Sequence, residues 1–203
     1  MTYPRFQPTG GFSAVEKSKK DQIYEAAARL FRDKGYQATS MRDLAKEVGL
    51  QASSLYNHFP SKADVLREIC MNNAQRFLAG MHEVEAQQGS SSEKISSLIR
   101  LHVQLSIEDV TSVTAFNDEW RHLEEPHLSA FLQLRKNYEN RFQAIIVAGI
   151  AAGEFKPVNP LILSYTLFSA VRWLYDWYQP GKKITAKMLE EEILGILMEG
   201  VRK

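Results

Sequence analysis

The chain has 203 residues, 44% of them hydrophobic, and a formal net charge of +1. That fits one moderate domain, or a small unit joined to a larger one, with apolar material enough for a sizeable core. No run approaches the roughly 18 apolar residues of a membrane span. The opening MTYPRFQPTGGFSAVEK lacks the apolar segment of a secretion signal, and the lone Cys70 has no partner for an intramolecular disulfide and cannot by itself make a metal site. A reducing, cytoplasmic location is the expectation.

Residues 1–17 carry Pro4, Pro8, Gly10 and Gly11 without periodicity and are expected to form a flexible arm. A helix is predicted over 18–34, with Ile23, Ala26, Ala27, Leu30 and Phe31 on one face and Gly35 as its stop. Two short helices, 41–48 and 52–58, follow around the turn Val48-Gly49-Leu50. Ser40 is a natural N-cap for the first, which repeats Met41, Leu44, Ala45 and Val48 at helical spacing. Gln51, Ala52, Ser53 and Ser54 open the second, and Tyr56, Asn57 and His58 bring donors to its far end. This is the layout of a helix-turn-helix whose second helix enters the DNA major groove by its N-terminus. Pro60 ends that helix, and Ser61 is expected to cap a long one over 62–87, about 39 Å at about 1.5 Å per residue.

Beyond the polar break Gln87-Gln88-Gly89-Ser90-Ser91-Ser92, Ser92 is expected to cap a helix over 93–109, with Ile95, Leu98, Ile99, His102 and Leu105 on one face. A shorter helix is predicted over 113–122, and a long amphipathic one over 127–152, closed by Gly153. An extended connector leads to helices over 160–178 and 185–201, split by Pro180-Gly181. No strand-like alternation or repeat is visible. The expected fold is all-α with about nine helices: an N-terminal three-helix head joined by the long fourth helix to a C-terminal lobe. Residues 1–66 hold 10 Lys+Arg against 7 Asp+Glu, and residues 67–203 hold 15 against 17. The balance of +3 against −2 turns the basic end towards an anionic partner, although a mildly basic solvated face would look the same by charge alone.

Residues 20–66 resemble the DNA-binding domain of the tetracycline-repressor (TetR) family of bacterial transcriptional regulators. The match rests on Ala26-Ala27, Leu30-Phe31, Gly35-Tyr36, Thr39-Ser40-Met41, Leu44-Ala45, Val48-Gly49, Leu55-Tyr56, His58-Phe59 and Ser61-Lys62. The resemblance implies a DNA-binding unit over 18–66 and a ligand-binding and dimerisation unit over 67–203. It implies a base contact from Arg42, whose fork suits guanine O6 and N7, unless that arginine is merely solvated. Ser53 and Ser54 would offer hydrogen bonds to bases, Ala52 would touch a thymine methyl, and Gln51 stands with them. Tyr56 and His58 fall on phosphate-contacting positions with Asn57 between them, a packed histidine being the alternative for His58. Thr39, Ser40 and Lys62 sit at helix N-termini able to hold phosphates. Lys17, Lys19 and Lys20 either follow the DNA backbone or belong to a charged arm.

The lobe is rich in rings: Phe116, Trp120, Tyr138, Phe142, Tyr165, Phe168, Trp173, Tyr175, Trp177 and Tyr178. Core packing is the alternative for any one of them, yet Phe116, Trp120, Tyr138, Tyr165, Trp173 and Trp177 mixed with Arg121 and Arg172 suit a pocket between helices. The segments Glu119-Trp120-Arg121-His122-Leu123 and Arg172-Trp173-Leu174-Tyr175-Asp176-Trp177-Tyr178 look like those TetR-type regulators that sense acyl-coenzyme A thioesters. Leu163, Leu167, Ala170, Val171 and Leu174, with Met188, Leu189, Ile193, Ile196, Leu197 and Val201, form two apolar stripes expected to make a homodimer interface or to pack within one chain. The implied function is a repressor released from a palindromic DNA operator by a small-molecule inducer. No Gly-rich phosphate loop or metal-ligand spacing is present, so neither a cofactor nor an enzyme is expected. A coenzyme A thioester carrier or enzyme with a vestigial head, or a protein-interaction module, are the alternatives.

Overall fold

The computed structural model describes residues 18–178 and 184–203, leaving aside the Asp176 side chain. The expected arm 1–17, with Lys17, and the Pro180-Gly181 break lie outside these residues. The elements are α1 (Lys19–Lys34), α2 (Met41–Glu47), α3 (Ala52–Tyr56), α4 (Lys62–Ala86), α5 (Ser91–Glu108), α6 (Val110–Asp118), a 3-10 turn (Trp120–His122), α7 (His127–Ala151), α8 (Pro160–Arg172), α9 (Leu174–Trp177) and α10 (Ala186–Val201). The fold is all-α, and each of the predicted helices has a counterpart. The one predicted over 160–178 is divided into α8 and α9 at Trp173.

Local chemistry explains most boundaries. Ser18, Ser40 and Ser90 each accept a hydrogen bond from the backbone of the acid three residues on (Asp21, Asp43, Glu93), whose carboxylate accepts from the serine N–H in return. Such a reciprocal box satisfies two orphan donors at once. Ser92 had been expected to cap α5, but three residues beyond it stands Ile95, which cannot reciprocate. The cap is therefore Ser90, and the N–H groups of Ser91 and Ser92 donate to the Glu154 carboxylate instead. α6 begins earlier than expected because Asp109 accepts from the Ser112 N–H. Gly35 stops α1 at φ +84°, and Gly49 turns α2 into α3 at φ +66°, where a Cβ would be strained.

Two apolar cores result. The first gathers Ile23, Phe31, Leu44, Leu55 and Phe59 from the head with Val65 and Ile69 from the start of α4, but also Ala115, Leu123 and Phe131 from later in the chain. The head is thus packed into the body rather than hung from it. The second core holds Met81, Leu98, Phe142, Ile146, Phe155, Leu167, Ile193 and Met198. α4 runs through both. At the seam, the Tyr24 hydroxyl (α1) lies 2.9 Å from Ser112 Oγ (α6), and Asn73 Nδ2 (α4) donates to Ser112 Oγ and to the Ile69 carbonyl. Asn73 Oδ1, fully buried, has no partner among the described residues. No described helix is long and apolar enough to cross a membrane.

Candidate nucleic-acid interface and ligand cavity

α2, the Gly49 turn and α3 present one outward tip. Arg42, Gln51, Ser53, Tyr56, Asn57 and His58 are exposed there, Tyr56 at 50%, while Ala52 and Ser54 are half-buried. Leu55 and Phe59, both buried, anchor α3 to the head core, so its polar residues face away from it. No hydrogen bond or ion pair holds Arg42, Ser53, Tyr56, Asn57 or His58 by its side chain among the described residues, and the packed alternative for His58 is not realised.

Three expected contacts are otherwise engaged. Thr39 is 1% exposed, and its hydroxyl donates inward to the Gly35 carbonyl at 2.9 Å. Lys62 donates to the carbonyls of Tyr36 (2.7 Å) and Thr39 (2.8 Å) and lies over the Tyr36 ring. It ties α4 to the turn before α2; the position of a lysine at a helix start suggests a phosphate ligand in sequence, where its long-range partners are invisible. The Ser40 hydroxyl is engaged with Asp43 as the cap of α2. Nearby, Lys19 donates to the Val48 carbonyl and Lys20 pairs with Glu68.

The lobe contains a cavity of about 240 Å³ between α4, α5, α6, α7, α8 and α9. Phe77, Phe116, Phe131 and Phe168 give it an apolar wall; Arg135, Glu139 and Arg172 are among its polar lining. Both arginines already have acidic partners, Arg135 in Glu139 (3.3 Å) and Arg172 in Asp118 (2.7 Å). Within, His102 Nε2 and the Tyr138 hydroxyl are 2.8 Å apart. Burial lowers His102 to about 4 and raises the Tyr138 phenol, so both are neutral near pH 7. Burial also pushes the Cys70 thiol up to about 12, which removes its thiolate reactivity.

Four of the residues expected in the pocket, Phe116, Tyr138, Tyr165 and Arg172, are brought together by this cavity; Trp120, Arg121, Trp173 and Trp177 are outside its lining. Trp120 is turned onto Phe131, with Arg121 and Arg135 over its face. Trp173 and Trp177 form an edge-to-face pair on the surface. Large rings at helical spacing do not announce which way they point. His102 joins the four cavity residues, and the signal in sequence is a single histidine on the otherwise apolar face of Ile95, Leu98, Ile99 and Leu105.

Residues 88–201, more than half of the chain, match the family described as tetracyclin repressor-like, C-terminal domain, and residues 23–69 match bacterial regulatory proteins, tetR family. The chain belongs to the TetR family of bacterial transcriptional regulators. Among its relatives, the HTH-type transcriptional repressor KstR2 of Mycolicibacterium smegmatis is 26% identical over 186 residues, 91% of each chain. The structure of KstR2 of Mycobacterium tuberculosis superposes with a TM-score of 0.87 at 23% identity, covering 94% of this chain and 98% of that one. AibR in complex with isovaleryl coenzyme A and operator DNA has a TM-score of 0.78 at 22% identity, covering 89% and 98%. These superpositions establish the shared fold.

In this TetR-family regulator the cavity and the head share elements. α6 lines the cavity with Val113, Phe116 and Asn117 and meets α1 through Ser112. Glu119, at the end of α6, accepts from the Tyr36 N–H at 3.1 Å, and His122 stacks on the Tyr36 ring. The two expected stripes divide: most of their residues pack within the chain, the alternative reading, while Met188 and Ile196 stay exposed. Leu163, Leu167, Val171, Leu174, Leu189 and Ile193 are buried in the chain's own core. Apolar residues exposed on α8, α9 and α10 or at their junction are Leu161, Ile162 (67% exposed), Tyr165, Trp173, Trp177, Met188 and Ile196 (69%). α8 is apolar on two faces, and the periodicity picked out the inner one.

Proposed function

We propose that this regulator is a homodimeric, ligand-responsive transcriptional repressor of the cytoplasm. It binds a palindromic operator through residues 18–66 and is released by an acyl-coenzyme A thioester or a similar amphipathic acyl compound held by residues 67–203. The carrying observation is the exposed tip formed by Arg42, Gln51, Ser53, Tyr56, Asn57 and His58, on a body whose cavity is walled by the same α4 and α6 that pack the head. Arg42 and the α3 residues suit base edges, and Tyr56 and His58 suit phosphates, which position without specifying. The name of the KstR2 relatives supports repression, and the AibR complex supports a thioester ligand.

The cavity is small against the usual range of about 300–1,000 Å³. It suits an acyl portion, with the anionic coenzyme lying outside against Arg135 and Arg172. An anion that recruits Arg135 takes it from Glu139 and from the face of Trp120, and a filled cavity displaces α6 from α1. Both shifts reach the turn before α2. A hundredfold loss of operator affinity requires about 2.7 kcal/mol of preference for the displaced state. Titration of protein on its own promoter DNA with acyl-coenzyme A of increasing chain length tests this: release is expected. Operator affinity unchanged at every chain length removes the inducer and leaves DNA binding standing.

A further inference from the structure

The polar groups inside the cavity ask for a ligand feature that a simple alkyl chain lacks. Ser106 is 5% exposed, lines the cavity, and its hydroxyl has no hydrogen-bond partner among the described residues. His102 stands one helical turn earlier on the same face of α5. Its Nε2 is engaged with Tyr138, whereas its Nδ1 has no partner among the described residues. Neither atom is sealed in protein, for Asn73 Oδ1 holds that distinction among described residues. Both residues line the cavity, and neither atom is taken up by a bond within the described residues.

We propose that His102, Ser106 and Tyr138 make the cavity selective for acyl ligands carrying a neutral oxygen, a hydroxyl or a carbonyl, on their apolar portion. The proposal rests on the cavity being the inducer site. The three groups are uncharged near neutral pH, since burial disfavours both imidazolium and phenolate here. They therefore suit a hydroxyl or keto oxygen rather than a carboxylate; the anionic end would draw Arg135 and Arg172 from Glu139 and Asp118. A saturated chain pressed against Ser106 and His102 would desolvate both without a partner. Sites built to bond an oxygen reject the analogue lacking it far more strongly than apolar pockets reject a missing methylene.

Calorimetry on the full-length protein tests the claim with decanoyl-coenzyme A and its hydroxy and keto derivatives, the oxygen placed at successive carbons. At least one derivative is expected to bind about tenfold or more tightly than decanoyl-coenzyme A. Ser106→Ala and Tyr138→Phe, which each remove a single hydroxyl, should shrink that preference, with thermal melting confirming that each variant is folded. Equal binding of saturated and oxygenated chains, or a preference that survives both substitutions, overturns the proposal and leaves the acyl-thioester site intact. Failure of every thioester to bind, decanoyl included, removes that site and the proposal together.

Discussion

Arg42 is an exposed guanidinium without a side-chain partner among the described residues, one residue into α2, and it is the side chain from which base selectivity is expected. Arg42→Ala should cost about 1–3 kcal/mol on the operator and much less on random DNA, whereas Tyr56→Phe should weaken both alike. Fluorescence anisotropy on the two DNAs separates these outcomes, and equal losses for Arg42→Ala contradict base reading. His102 gives a second residue-scale prediction. It titrates at about 4 when buried, against about 6.5 in an unfolded chain. Between these values the unfolded chain holds the extra proton. Stability should therefore fall by about 2–3 kcal/mol as pH drops from about 6.5 to about 4, and be unaffected by this residue above that window. Urea unfolding should show a shallower acid loss in His102→Leu. An unchanged pH profile would mean that His102 is solvated.

Among the elements, the seam between α1, α4 and α6 is the part that both cavity and head touch. Ser112→Ala removes a shared partner of Tyr24 and Asn73 and should destabilise the chain by about 1–3 kcal/mol, because a buried amide already short of one bond loses another. It should also reduce the ligand-induced loss of operator affinity; a stable variant with full ligand response would place coupling elsewhere. Helices were legible in the sequence because caps, glycine stops and apolar spacing are local signals. Ser40 and Gly35 act as read. Ser90 displaced Ser92 because the acid that reciprocates stands at Glu93. What sequence could not convey was partnership at long range. Thr39 and Lys62 turned inward to carbonyls, Trp120 turned to Phe131, and the inner and outer faces of α8 look equally apolar when written as a string.

For the whole molecule, the exposed apolar residues of α8, α9 and α10 are the surface expected to meet a second copy. Ile162→Glu combined with Ile196→Glu should shift the light-scattering mass towards a single chain and weaken operator binding; an unchanged dimer would place the interface on another face. Dimerisation matters because it sets the distance between two copies of α3. Footprinting of the protein on its own promoter region therefore tests the central claim most directly. The account predicts two protected, inverted half-sites about 34 Å apart, one helical turn, with protection lost when Arg42 and Ser53 are both changed to alanine. Absence of specific protection, or a footprint indifferent to those two substitutions, would contradict it.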